Sequence, residues 1–113
     1  MRIKRGVTAS KRRKNLLQHA KGFQWRRKTN FRAAKEALLH AWTYAYRDRR
    51  NKKRDRRVLW QAKINAASRN LGVQYSRLIN NLNKVNIELD RKSLAYLAEH
   101  KPEVFAHIVE NTK

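Results

Sequence analysis

Apolar residues recur at steps of three or four from Phe31 onward: Leu38, Trp42 and Ala45 in one run, then Leu59, Ala62 and Ala66 in another. Between the two runs Asp48, Lys52 and Asp55 keep the same spacing with polar side chains, which puts all three groups on one face of one helix. Asp48 with Lys52 and Lys52 with Asp55 stand four and three residues apart, and each such pair supports a helix by about 0.2–0.5 kcal/mol. The spacing predicts a single rod from about Phe31 to Leu71, about 60 Å long at a rise of 1.5 Å per residue. Gly72 is placed to close it at the C′ position.

Three shorter helices are expected after Gly72. Tyr75, Leu78, Ile79 and Leu82 follow the i, i+3, i+4, i+7 template of an amphipathic helix. Asp90 is placed to cap a second helix, with Leu89 and Leu94 spaced for a hydrophobic staple. Pro102 suits the first position of a third, whose Val104, Phe105, Ile108 and Val109 form its buried face. Together with the end of the rod they predict a small helical bundle from about Val58 to Thr112. The first twenty-odd residues offer chiefly Leu16, Leu17 and Ala20 for burial. Thr8 is a candidate cap for a helix ending before Gly22, marginal alone in water and expected to order on a partner. With three glycines, one proline and abundant Ala, Leu, Lys and Arg, the fold class is all-α: a basic N-terminal arm, one long helix and a small C-terminal bundle.

Charge changes this picture. The formal net charge is +21, and it is uneven. Residues 1–57 hold 21 Lys and Arg against 3 acidic residues, and residues 58–113 hold 8 against 5. Two regions follow: 1–57 as a polyanion-binding arm with the first part of the rod, and 58–113 as a small globular domain. From Arg47 to Arg57 eight of eleven positions are cationic. Like charges at i,i+4, such as Arg49 with Lys53 and Arg50 with Arg54, oppose helix formation, so this segment calls for bound anions.

Catalytic chemistry is absent from the pattern. His19, His40, His100 and His107 are scattered without metal-ligand spacing, and no glycine-rich phosphate loop occurs. Glu88 and Asp90 fit a loop and a helix cap better than an acid–base pair. Ser10, Ser68, Ser76 and Ser93 sit in no nucleophile motif. Zero cysteines exclude disulfides and thiolate metal sites. The expectation is no enzyme, no metal, no cofactor and no small-molecule substrate. No apolar run approaches the roughly 20 residues of a membrane span, and the N-terminal stretch lacks the apolar region of a secretory signal.

A short basic run is ordinarily a solvated face, but here the cations alternate with Phe23, Trp25, Phe31, Trp42, Tyr44 and Tyr46. Arginine makes bidentate phosphate contacts and stacks on bases, and aromatic rings stack on unpaired bases. Trp42 and Trp60 lie on or beside the helix stripe and suit packing within the protein. Trp25 lies between cations and suits either role. The candidate RNA-binding residues are Arg2, Lys4, Arg5, Lys11, Arg12, Arg13, Lys14, Lys21, Trp25, Arg26, Arg27, Lys28, Arg32, Arg47, Arg49, Arg50, Lys53, Arg54, Arg56 and Arg57. Such contacts convert repulsion between neighbouring arginines into counterion release, with affinity falling steeply as salt rises.

The blocks RIKRGVTA, AKGF, FRAAKEA, YAYRDRRNKKRD, INAASRNLGVQYSRLINNL and IELDRKSLAYLA resemble the bacterial and organellar large-subunit ribosomal protein family numbered twenty, in order and over nearly the whole chain. The resemblance implies direct binding to large-subunit (23S) rRNA, a need for the protein in assembly of that subunit, and no part in peptide-bond chemistry. It implies an extended basic arm threading between RNA helices, a long helix and a small helical C-terminal domain. The implied protein neighbours are the large-subunit proteins numbered thirteen and twenty-one. The implied location is the large ribosomal subunit, in the cytoplasm or in an organelle matrix or stroma. In some bacteria the family's C-terminal domain also represses its own message. Three positions depart from the family's pattern. Gln24-Trp25-Arg26 stands where a glycine-containing turn is usual, Arg56 replaces a common aromatic, and Asn86 stands where glycine often precedes IELD. Asn tolerates the left-handed conformation well enough to close a helix.

The mechanism expected is an electrostatic clamp, in which residues 2–57 follow phosphates and read RNA shape. Two rivals share the charge. A DNA-compacting architectural protein is the alternative reading. A cationic membrane-surface helix needs a continuous apolar face, which Asp48, Lys52 and Asp55 interrupt, so no membrane partner is expected.

Overall fold

A computed structural model describes residues 4–112, and all regular structure among them is helical. The helices are α1 (Gly6–His19), α2 (Phe31–Asn70), α3 (Tyr75–Lys84), α4 (Arg91–His100) and α5 (Pro102–Glu110), with a 3₁₀ turn at Trp25–Lys28. The long helix runs as its spacing predicts. Its start has a local cause: Asn30 Oδ1 accepts hydrogen bonds from the amides of Arg32 (3.0 Å) and Ala33 (3.3 Å), which satisfies two of the amides that a helix start leaves without partners.

The end of α2 is equally well defined. Gly72 has φ +78, and the Val73 amide donates to the Ser68 carbonyl (2.9 Å) while the Gly72 amide donates to Arg69 (3.0 Å). This is a Schellman closure. The end of α3 repeats it without glycine: Asn86 has φ +56, the Ile87 amide donates to Leu82 (3.0 Å) and the Asn86 amide to Asn83 (3.2 Å). Asn takes this conformation at lower cost than other side-chain-bearing residues, because its short polar group bonds locally.

The chain divides into two compact units, Met1–Arg50 and Asn51–Lys113. In the second, Ile64, Leu78, Leu82, Leu94, Ala95, Phe105 and Val109 form a fully buried cluster, lined by half-buried Trp60, Ala67, Leu71, Val73 and others. The two polar side chains buried among its described residues are satisfied locally: Ser68 Oγ donates to the Asn65 carbonyl (3.1 Å) and Thr112 Oγ1 to that of Val109 (2.8 Å). Lys63 Nζ donates to Glu99 Oε2 at 2.5 Å and Arg91 Nε to the Tyr75 hydroxyl at 2.9 Å, so polar ties at the surface join α2 to α4 and α4 to α3.

In the first unit the apolar cluster is far smaller. Ala20, Ala34 and Leu38 are buried, with Leu16, Leu17 and Phe23 against them. This fixes the end of α1 to the beginning of α2, and most of α1 is exposed.

Several sequence expectations are corrected. Thr8 lies inside α1; the N-cap position is Arg5, which makes no capping bond. Of the expected stripe on α2 only Leu38 is buried, while Trp42, Leu59, Ala45, Ala62 and Ala66 are exposed. The core-facing residues of the last turns are Trp60, Ile64, Ala67, Ser68 and Leu71, the neighbouring face with the same spacing. The bundle core accordingly starts at Trp60, and Val58 is exposed. Asp90 takes the N-cap position of α4 with an extended backbone, without closing a side-chain bond to the first-turn amides, though the Ser93 hydroxyl nearby holds its carboxyl below the ordinary carboxylate range. Leu89 is exposed, so the staple with buried Leu94 does not form; Ile87 packs on the core instead. On α5, Phe105 and Val109 are buried and Ile108 half-buried, but Val104 is exposed.

Candidate nucleic-acid interface

The expected RNA-binding residues fall on three pieces of the chain. Lys4 and Arg5 precede α1, and Lys11, Arg12, Arg13 and Lys14 lie on it; all are exposed. Arg2 lies outside the described residues. Lys21 follows α1, and Trp25, Arg26, Arg27 and Lys28 make up the 3₁₀ turn, again exposed, as is Arg32 in the first turn of α2. The remaining seven, Arg47, Arg49, Arg50, Lys53, Arg54, Arg56 and Arg57, stand exposed along the middle of α2.

At about 100° per residue, Asp48, Asn51 and Asp55 share one narrow strip of α2, and the eight cations from Arg47 to Arg57 cover the rest of its circumference. The expected bonds within the polar stripe do not form. Among the described residues neither Lys52 nor Asp55 takes part in an ion pair, and Asp48 pairs with its neighbour, Arg47 Nε to Oδ1 at 2.9 Å. Both members of that pair are more than half exposed, so it contributes little to stability. Lys52, assigned from sequence to the neutral stripe, therefore joins the cationic surface. Its exposed ammonium beside Lys53 could have been included by charge density alone.

Aromatic rings set the posture of several arginines. The Arg47 guanidinium lies 4.7 Å from the centroid of the Tyr44 ring, and Arg50 and Arg49 lie 5.3 Å and 5.9 Å from that of Tyr46. Arg50 Nη2 also donates to the Tyr46 hydroxyl (3.3 Å), and Arg54 Nη1 to Asn51 Oδ1 (3.3 Å). Cation–ring pairs of this kind at exposed sites are worth about 0.5–1 kcal/mol each. They hold planar guanidinium groups outward on the helix, an arrangement that would lower the entropy lost on binding an anion. Tyr44 and Tyr46, absent from the expected interface, are found through their spacing to these arginines, three or four residues on.

Two further rings belong to the first unit. Trp42 is exposed but meets His19 edge to face, with centroids 6.0 Å apart. His40 stacks on Tyr44 at 6.3 Å. The packing expected for Trp42 is thus a single edge contact, whereas Trp60 does pack on the C-terminal core.

Trp25 carries the most unusual backbone of this surface. Its φ is +51, a left-handed conformation that costs an ordinary L-residue roughly 1–2 kcal/mol. The position at which the sequence departs from the expected glycine-containing turn is thus itself left-handed, with a large side chain on it. The 3₁₀ turn that follows has no counterpart in the sequence expectations.

Among the described residues no group of acidic, His or Cys side chains could hold a metal ion, and no helix is long and apolar enough to cross a membrane. What the exposed surface of residues 4–57 can do is neutralise and orient phosphates, with tyrosines and a tryptophan beside the cations.

Comparison with known proteins agrees with that surface. A family model described as Ribosomal protein L20 matches residues 2–108. Proteins named large ribosomal subunit protein bL20 are 55% identical in Methylibium petroleiphilum, 56% in an Acidovorax species and 53% in Chloroflexus aurantiacus, each over 112 residues. The alignments span 99% of this chain and 95%, 94% and 94% of those relatives. With fold, surface and near-complete matches in accord, the chain belongs to the ribosomal protein L20 family.

Proposed function

We propose that this chain binds 23S rRNA of the large ribosomal subunit directly, through the cations of residues 2–57, and that this binding supports assembly of the subunit. As a member of its family it is a structural, non-enzymatic component of the large ribosomal subunit. The observation that carries the finer reading is the middle of α2, where eight cations stand on a helix with one ion pair among them. Such a segment is self-repelling until polyphosphate is bound. Arm and rod act as an electrostatic clamp on phosphates of several RNA segments, and the folded C-terminal unit docks as an anchor. The large-subunit proteins numbered thirteen and twenty-one are the neighbours that the family resemblance implies, in the ribosome of a bacterial cytoplasm or of an organelle.

The test compares the full chain with a variant carrying Arg49→Gln, Arg50→Gln, Lys53→Gln and Arg54→Gln, titrated with large-subunit rRNA fragments across a salt series. Each phosphate that the variant no longer neutralises lowers the slope of log affinity against log salt by about 0.7–0.9. An unchanged slope sinks the clamp. Competition between duplex DNA and folded rRNA separates this reading from DNA compaction, and folded rRNA should win.

A further inference from the structure

Trp25 combines two unfavourable features that no hydrogen bond, ring or cation among the described residues offsets. Its backbone is left-handed, with φ +51, and its side chain is 77% exposed. The only other non-glycine residue with positive φ among the described residues is Asn86, a type that tolerates this conformation. A glycine or an asparagine at position 25 would hold the same turn with less strain and no exposed indole. Among the described residues no aromatic ring or cation partner stacks on Trp25. An indole kept under those conditions belongs to a contact made outside the chain.

The surroundings specify what it meets. Arg26, Arg27 and Lys28 follow directly and are exposed, and the first acidic residue of the sequence is Glu36. Phe23 and Arg27, two positions either side of Trp25, line a groove of about 550 Å³ together with Glu36, His40 and Tyr44, so the cations beside the indole outnumber the single carboxylate of the groove. A partner here must present negative charge at several points and one flat apolar face. A nucleotide does both. Bases inside an A-form duplex offer no exposed face in a groove a side chain can enter, so the nucleotide must be unpaired.

We propose that Trp25 stacks its indole on one unpaired nucleotide of the bound rRNA while Arg26, Arg27 and Lys28 hold the adjoining phosphates. This rests on the rRNA-binding function proposed above and adds to the clamp a point where a single-stranded base is recognised.

The experiment uses the full chain and three variants, Trp25→Gly, Trp25→Asn and Trp25→Phe. Gly and Asn keep the turn without the ring; Phe keeps a ring. Each is titrated with a large-subunit rRNA fragment and with a perfectly paired RNA duplex, following affinity, salt slope, tryptophan emission and melting midpoint. On the rRNA fragment the Gly and Asn variants should bind about 5- to 100-fold more weakly, with unchanged salt slope and a melting midpoint no lower than the parent's. Phe should retain most of the affinity. Quenching of tryptophan emission on binding should shrink in the Gly and Asn variants, and on the paired duplex they should match the parent.

Equal binding of parent, Gly and Asn variants to the fragment overturns the stacking proposal and leaves the clamp standing. The same weakening on the paired duplex also overturns it, as does a lowered midpoint in both variants, which makes the indole a packing group. Normal rRNA binding with failed incorporation into the subunit assigns the indole to a protein neighbour and overturns it likewise. Should the unmodified chain fail to bind rRNA at all, the parent reading falls, and this one with it.

Discussion

The two units of the chain are built from the same helical grammar and differ in what fills the space between helices. In Asn51–Lys113, seven buried residues from four helices meet, and the two buried side-chain hydroxyls are hydrogen-bonded. Among the described residues of Met1–Arg50 the buried set is two alanines and one leucine, beneath a surface whose charges are almost all positive. Fully burying a Leu, Val or Phe side chain contributes about 1.5–3 kcal/mol, so the second unit has several times the apolar driving force of the first. It also has half the net charge to overcome, +7 against +14. On the proposed reading, order in the first half depends on a bound polyanion to a degree that order in the second does not.

The comparison breaks most sharply at Leu94, fully buried in the C-terminal core. Leu94→Ala should destabilise that unit by about 2–5 kcal/mol, read by denaturant unfolding of the full chain followed through Trp60, and hydrogen exchange at α1 amides should be unaffected. The complementary change is Leu38→Ala, which removes the one large buried side chain among the described residues of the first unit. Its effect should be smaller and local: faster exchange along α1 and the first turns of α2, with the C-terminal core unchanged. Inorganic polyphosphate should slow that exchange again in both parent and variant. Rigid protection throughout residues 4–50 in the absence of any anion would contradict this difference between the units.

How much of this was legible in the sequence follows from where each signal resides. The bounds of α2 are local, written in helical spacing, in Gly72 and in the Asn30 cap, and the first two sufficed to place it. The bounds of α3, α4 and α5 are local too, in Asn86, Asp90 and Pro102. The buried face of α2 is not local. Leu59, Ala62, Ala66 and Trp60, Ile64, Ala67 satisfy the same steps of three and four, and only the arrival of Leu78, Leu94 and Phe105 selects the second set. Charge pairing failed for a related reason: spacing permits Asp48 to meet Lys52, but in a crowd of cations the nearer Arg47 takes the carboxylate. The exposure of the candidate cations was legible because charge density survives any error of face. The left-handed Trp25 was not, since nothing in the residue type announces it.

Helix closure gives the next, smaller test. Gly72 and Asn86 end α2 and α3 in the same left-handed geometry, and a Cβ at Gly72 would meet no atom within 4 Å. Any cost of Gly72→Ala is therefore backbone strain rather than a clash, about 1 kcal/mol. Asn86→Gly should be close to neutral, and Asn86→Ala should cost less than Gly72→Ala, because Asn already carries part of the strain. Thermal midpoints of the three variants check the order. A large loss in any of them would mean that the closure, and not the apolar core alone, distinguishes the C-terminal unit from the first.

The smallest effect expected lies in the pH dependence of that unit. The Glu99 carboxyl is held below its ordinary value of 4.5, first by the hydrogen bond from the Lys63 ammonium and then by its charge. A carboxylate whose folded pKa is depressed adds stability that is fully present above the unfolded value and is lost as pH falls through the folded one. The tie between α2 and α4 should therefore persist at neutral pH and fade as pH drops below about 4.5. Asp90 acts in the same direction through Ser93, from an ordinary value of 3.8. Both carboxylates are solvent-exposed, so solvent and salt screen them and the contribution is minor. Melting midpoints of the parent and of Glu99→Gln should differ at neutral pH and low salt, and converge once Glu99 is protonated. A difference that persisted undiminished in acid would assign Glu99 a packing role on α4 in place of the ion pair, and the two units would then differ in apolar burial alone.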